Sequence, residues 1–512
     1  MRKRNLFVLV SVLLMAIVLG SCSKSADYQS VIPAEPVMVV KANVDNLLAK
    51  SEVLQDNQIT AIVKNGINEM PENSRELMRS ILADPANCGL DLKQPAFVVM
   101  DNIEQARGFV LFAVKDANQV NALLNVIVEN EEGALIEDKG DYTVMKVDNA
   151  NTLAYDDTKL LVAFAQGAYD ATEYITAKDN AKKSDALKRF IASNDDVAYY
   201  MAYKDILRLA EGVNPETFAM MDTKQFEDAK MIVNLNFEAG QVVINGKMEG
   251  AKELMNNAKK SVAEVETDLQ KFIPTINYAF IQTGAKDVIT SIPESMRHSL
   301  EEALTKANNK ELKKKGINAE LIISALNSLD GGIIFGVSEA DKNSVLPIPQ
   351  MVLMAECKDD ALFKLAIKVL QSENLVTKSS ENVYSVMNLY NIAYVDDRIV
   401  VMPGNLFSQC FADGYAKELP ENISGQKLSK LVGDKSGIAI DAQAVAKLLE
   451  GVARSRSDKA MLELLSKFSY TTMTSNKDCE VEWVVAFEDA NTNALKQIKD
   501  MAVSSAIRNA IR

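Results

Sequence analysis

Read as alternating apolar and polar positions, the chain resolves into short strands and amphipathic helices that come round twice. Phe109-Val-Leu-Phe-Ala113 is followed by Lys115-Asp116 and by apolar positions 120, 123, 124 and 127, the spacing of a helix face. Met351-Val-Leu-Met-Ala355 is followed by Lys358-Asp359 and by 362, 365, 367 and 370. Tyr142-Thr-Val-Met145 matches Tyr384-Ser-Val-Met387, and Leu153-Ala-Tyr155 with Asp156-Asp157 matches Ile392-Ala-Tyr394 with Asp396-Asp397. A strand follows each, Leu160–Phe164 and Ile399–Met402. The separation stays near 240 residues, so the pattern predicts an internal duplication.

A strand that runs into a helix recurs as well. Val197–Met201 precedes 205–210, Ile438–Ile440 precedes 444–449, Val37–Val40 precedes 44–48, and Ala279–Ile281 precedes Val288-Ile289. Each half closes with two strands and a helix. In the first half that helix has apolar positions 254, 258, 262, 265, 269 and 272. Short polar links such as Asn149-Ala-Asn151, Asp156-Asp-Thr158 and Ala239-Gly240 require antiparallel neighbours. The expected fold is α+β, as two tandem related lobes, each a mainly antiparallel sheet with helices packed on one face. The first lobe spans 35–270 and the second 271–512, divided near 266–276 where Pro274 interrupts the helical pattern.

The N-terminus carries an address. Basic Arg2-Lys3-Arg4 precedes an apolar run from Leu6 to Gly20, broken only by Ser11 and shorter than the roughly 20 residues of a spanning helix. Leu19-Gly20-Ser21-Cys22 follows. This order is that of a secretory signal, residues 1–21, cleaved between Ser21 and Cys22. It resembles the lipobox of bacterial lipoproteins, in which the cysteine is acylated, for example with palmitate, and becomes the new first residue. Several acyl chains are needed for firm anchoring. Residues 22–34 then read as a lipidated polar tether.

The wider N-terminal run, Tyr28-Gln-Ser-Val-Ile-Pro33-Ala34, a strand, and a helix ending near Leu47-Leu48-Ala-Lys50-Ser51, resembles an uncharacterised family of Bacteroidota lipoproteins. That resemblance covers the mature chain, rests on packing motifs, and implies a cell-envelope lipoprotein without implying a reaction. Surface-displayed lipoproteins of that phylum carry an acidic cluster after the cysteine. Ser23-Lys-Ser-Ala-Asp27 holds one acid, which points to the periplasmic side of the outer membrane.

Charge and candidate chemistry narrow the picture. A net charge of −14 before the basic leader is removed opposes nucleic acid. Cys88, Cys357, Cys410 and Cys479 have no C-x-x-C spacing and allow three full pairings that sequence cannot separate. Any imidazole-dependent site must use the one histidine, His298, which falls off the 296/300/304 apolar stripe of a helix opened by Ser291-Ile-Pro-Glu294. No zinc spacing, phosphate loop or cofactor motif occurs.

Asp156-Asp157 and Asp396-Asp397 are candidate carboxylate pairs, set against a reading as turn residues. Glu339-Ala-Asp341-Lys-Asn343 alternates like a calcium loop but lacks its glycine and distant glutamate. Lysines 306, 310, 313, 314 and 315 suit a solvated helix end before Gly316. Tyr199 and Tyr200 fall on opposite faces of one strand and cannot form one platform. Gly331-Gly332 reads as a turn. The functions compatible with this are, in order, non-catalytic binding, scaffolding or assembly with a protein or glycan partner; a carboxylate-dependent hydrolase of envelope or dietary glycans; and a carrier of an apolar ligand drawing on 21 methionines.

Overall fold

The computed structural model describes residues 28–130, 134–147, 151–164, 171–177, 183–207, 226–261, 267–273, 277–286, 316–340, 349–411, 427–451, 453–476 and 478–510, with single residues at 265, 288 and 298. It is an α+β protein of two compact units. Of the described residues, the first takes those in 28–207, 226–250 and 490–510, the second those in 251–489.

The first unit holds β1 (Met38–Ala42), β2 (Ala96–Asn102), β3 (Arg107–Ala113), β4 (Leu135–Asp138), β5 (Thr143–Val147), β6 (Asn151–Tyr155), β7 (Lys159–Phe164), β8 (Val197–Ala202), β9 (Lys230–Glu238) and β10 (Gln241–Glu249). They hydrogen-bond in the order 10-9-8-1-2-3-7-6-5-4, antiparallel throughout.

The second unit holds β11 (Asn277–Lys286), β12 (Leu329–Ala340), β13 (Pro349–Cys357), β14 (Val376–Ser380), β15 (Val383–Val386), β16 (Tyr390–Val395), β17 (Arg398–Pro403), β18 (Ser436–Asp441), β19 (Phe468–Ser475) and β20 (Glu480–Phe487). Their order is 20-19-18-11-12-13-17-16-15-14, again antiparallel. The two sheets therefore share one strand order. The matching extends to core residues: Val31, Ile32 and Val39 are buried in the first unit, and 241 positions on Phe272, Ile273 and Phe280 are buried in the second.

Several expectations change. The helices do not keep to one face of each sheet. In the first unit Val144, Ala154 and Leu161 enter one apolar cluster with helices Thr172–Ile175 and Asp185–Ala192. Their strand neighbours Met145, Tyr155 and Leu160 enter another, with helices Asn57–Asn68, Glu72–Ala83 and Ala117–Asn130. In the second unit Ala393 and Val400 face helices Gly404–Phe411 and Lys427–Val432, while Ile392 and Ile399 face helix Ala361–Ser372. Adjacent strand residues point to opposite faces, so apolar pairs of this kind need cover on both sides.

The division between the units lies at Gly250/Ala251, ahead of the 270/271 boundary read from the sequence. Leu269, Phe272 and Ile273 belong to the second core. The single helical stripe from 254 to 272 appears as helix Lys252–Ser261 and a separate 3-10 turn, Thr267–Phe272. At the other end of the chain, residues 490–512 group with the first unit. There Asn493 donates to the Phe237 carbonyl at 3.0 Å, and Lys499 pairs with Asp56 at 2.9 Å.

The tether is shorter than expected. Tyr28–Val31 is a 3-10 turn, with Tyr28, Val31 and Ile32 buried in the first core. Gly331 and Gly332 lie inside β12, at a register shift. A Cβ on Gly331, whose φ is +139°, would stand 2.4 Å from the Glu356 carboxylate, which accepts from the Gly332 amide at 2.7 Å. Helices Asn57–Asn68 and Glu72–Ala83 fall outside the repeated pattern of strands and helices. The first is signalled by Asp56, whose side chain caps the amides of Gln58 and Ile59.

Candidate functional site

Ser21 and Cys22, the residues of the lipid attachment, lie outside the described residues, as do Asp341, Asn343 and lysines 306, 310, 313, 314 and 315. His298 is an exposed helical residue. Tyr200 is buried and Tyr199 exposed, the opposed placement that the alternation requires. All four described cysteines are free thiols. Cys88, Cys357 and Cys410 are buried in three different apolar clusters, which keeps them from pairing, and burial pushes each thiol up to about 11. Among the described residues there is no group of three or more His, Cys, Asp or Glu side chains able to hold a metal ion.

The two acid pairs occupy hairpin turns. Asp156 accepts from the Thr158 amide at 2.7 Å, the Lys159 amide at 3.0 Å and the Lys159 ammonium at 2.5 Å. Burial raises its pKa, but these hydrogen bonds to the charged form outweigh it and hold the carboxyl below its usual range. In the second unit Asp396 and Asp397 are the two central residues between paired Val395 and Arg398, with φ of 49° and 56°. That is the mirror-image tight turn whose twist suits a hairpin, and Asp tolerates it. The pairs are out of step by one: in strand register Asp157 corresponds to Asp396 and Thr158 to Asp397.

The second unit shapes a cleft around one of these turns. Its volume is about 710 Å³. The β14–β15 turn supplies Glu381 and Asn382, β16 supplies Asn391 and Tyr394, the β16–β17 turn supplies Asp396, and helix Gly404–Phe411 supplies Ser408. Asn382 also has a positive φ, 56°, and its carbonyl accepts from the Tyr394 amide at 3.1 Å, tying the two turns together. Phe407 and Phe411, buried and stacked 5.1 Å apart, make the apolar floor. Tyr394 donates to Asp397 at 3.1 Å. Burial, and then that carboxylate, push its hydroxyl up to about 12, so it remains a donor. Asp396 is the one candidate from the sequence that the structure brings together with a second carboxylate, Glu381, in a concave site. Glu381, Asn382, Asn391 and Ser408 went unread because three hairpin elements and a helix must fold before they meet.

The first unit holds a polar network that the sequence also concealed. Lys41 lies on the core face of β1, beside Val39, and is 2% exposed. Its ammonium donates to the carbonyls of Ile191, at 2.7 Å, and Ser193, at the C-terminal end of helix Asp185–Ala192. Burial lowers its pKa to about 8, opposed by the nearby charge of Asp195. Asp195 accepts from Asn236 at 2.8 Å, and buried Asp196 accepts from Lys50 at 2.5 Å and from the Phe237 amide at 2.7 Å.

A family profile matches residues 28–495, the family being described as a domain of unknown function, DUF4836. The chain belongs to that family. The matched region opens at Tyr28, where the first core begins, and takes in both sheets. No curated protein matches the chain. Among solved structures, crystal form III of TP0453 is 12% identical with a TM-score of 0.28, covering 48% of this chain and 84% of that one. Crystal form I of TP0453 is 10% identical with a TM-score of 0.23, covering 74% and 92%. Those scores are too low to carry an argument about fold or activity. Among the described residues no helix is long and apolar enough to cross a membrane.

Proposed function

We propose that this DUF4836 protein is a lipid-anchored, non-catalytic binding protein of the cell envelope, held on the periplasmic side of the outer membrane by acyl chains on Cys22, with an uncharged envelope glycan as the ligand of its second unit. One observation carries the ligand assignment: a cleft of about 710 Å³ lined by Asn382, Asn391, Ser408, Glu381 and Asp396 above a stacked phenylalanine floor. Sugar hydroxyls pair with amides, hydroxyls and carboxylates, while the aliphatic faces of the ring suit aromatic carbon. The mostly polar rim does not favour an apolar cargo. The shared strand order supports an origin by internal duplication.

Calorimetric titration of the full chain with neutral oligosaccharides tests the ligand. Saturable binding is expected, weakened about tenfold in N391A, the worth of roughly one hydrogen bond of about 1.4 kcal/mol. Absence of binding to every neutral oligosaccharide contradicts the assignment. Glycan hydrolysis is the second reading, favoured by Glu381 and Asp396 sharing the cleft. It predicts release of reducing ends that disappears in E381Q and D396N while binding persists. The anchor is tested apart from both: C22A abolishes incorporation of labelled palmitate, and label retained in C22A contradicts lipidation at that residue.

A further inference from the structure

Helix Arg456–Leu465 of the second unit departs from the rule that helices bury an apolar stripe. Its start is well specified, by a capping box in which Ser455 and Asp458 satisfy each other's amides. Yet none of its residues is buried. Met461 is 56% exposed and Leu464 46%, three positions apart and therefore on one face. The helix before it in the chain, Ala442–Glu450, packs against it and leaves Leu448 and Leu449 exposed. Exposed apolar side chains on two adjoining helices are what an interaction surface offers.

Charge indicates the kind of partner. The chain carries −14 overall. Across residues 442–467 the balance reverses: Lys447, Arg454, Arg456, Lys459 and Lys467 outnumber Glu450, Asp458 and Glu463. A helix with leucine and methionine on one face and Lys459 and Arg456 on the other has the composition of one that lies in a membrane interface. The long basic side chains reach outward to headgroup phosphates while their stems stay with the apolar face. A second acidic copy of this chain gains less from that basic margin than an anionic bilayer does.

We propose that the two helices Ala442–Glu450 and Arg456–Leu465 dock together on an anionic phospholipid surface. This docking needs no acyl group and stands whether or not Cys22 is lipidated. The face of the protein that carries the two helices is then held towards the membrane, which sets how the second unit is presented.

The sole tryptophan, Trp483, makes a clean optical test. The full chain carrying M461W in a W483F background is mixed with vesicles whose lipid tails are brominated. With phosphatidylglycerol present, emission should fall about twofold, and it should recover in phosphatidylcholine alone or in high salt, where screening shortens electrostatic reach to a few ångströms. Adding L464E should abolish the quenching without moving the unfolding midpoint, since that side chain is exposed. No quenching in any vesicle, or quenching indifferent to lipid charge, overturns the proposal. So does a concentration-dependent doubling of mass that L464E removes, which would make a second copy the occupant.

Discussion

Lys41 in the first unit and Gln282 in the second stand 241 positions apart, on the matching first strand of each sheet, and are 2% and 1% exposed. Both reach the backbone at the end of a helix. Lys41 donates to the carbonyls of Ile191 and Ser193, and Gln282 donates to those of Gly433 at 2.6 Å and Lys435 at 2.7 Å. The receiving carbonyls are two residues apart in each case. What differs is the segment that follows. In strand register Tyr199 corresponds to Ile438, so the first unit has three more residues between the second carbonyl and its strand. Those residues are Asn194, Asp195 and Asp196.

The comparison separates what the fold requires from what it tolerates. It requires a donor on the core face of the first strand, because carbonyls at a helix end have no intrahelical partner. The donor need not be charged. Where it is, the charge of Asp195 lies nearby, and buried charge is otherwise costly. In the second unit Gln270 donates at 2.8 Å to the Gln282 carboxamide oxygen, which a lysine does not have.

The largest effect that bears on this comparison comes from removing the donor. K41A leaves the part-buried Ile191 and Ser193 carbonyls without this donor and removes the positive charge near Asp195, and should cost about 3 kcal/mol. Q282A loses neutral hydrogen bonds and should cost less, about 2 kcal/mol. Hydrogen exchange read strand by strand checks both, with the loss confined to β1, β8 and β9 for K41A and to β11, β18 and β19 for Q282A. Equal loss in both sheets from either substitution would break the parallel.

Much of this architecture was written in the alternation of apolar residues. The recurrence of Phe109–Ala113 and Met351–Ala355 marks the same strand of each sheet, β3 beside β7 and β13 beside β17, although in strand register it is one residue out of step, with Leu111 in the place of Met354. The two-sided cover of the sheets was also in the sequence: Leu160–Phe164 and Ile399–Met402 are unbroken apolar runs, whereas a one-faced sheet would alternate. Lys41 was not legible, because its partners lie 150 and 152 residues away and a lysine in a strand ordinarily faces water. The 3-10 turn at Tyr28 escaped for a related reason. Gln29 and Ser30 look like tether, and only the hydrogen bond from the Tyr28 hydroxyl to the Pro95 carbonyl, at 2.7 Å, shows that the segment is part of the core.

A gentler substitution tests the central claim, that both units are one design with a charged donor in the first and a neutral donor in the second. K41Q gives the first unit the second unit's residue, and Gln29 stands 241 positions before Gln270, the residue that donates to Gln282. Lys41 has a folded pKa of about 8, below its ordinary value of 10.5. Between those values the unfolded chain binds more protons than the folded one, so its contribution to stability rises with pH; below pH 8 both states hold the proton and the contribution is flat. The measurement is unfolding free energy from pH 7 to 10.5, taken as wild type minus K41Q so that the tyrosines and thiols cancel. The account predicts a folded K41Q protein and a difference that climbs by about 3 kcal/mol across pH 8 to 10.5. A flat difference, or a first unit that no longer folds with glutamine at position 41, would contradict it.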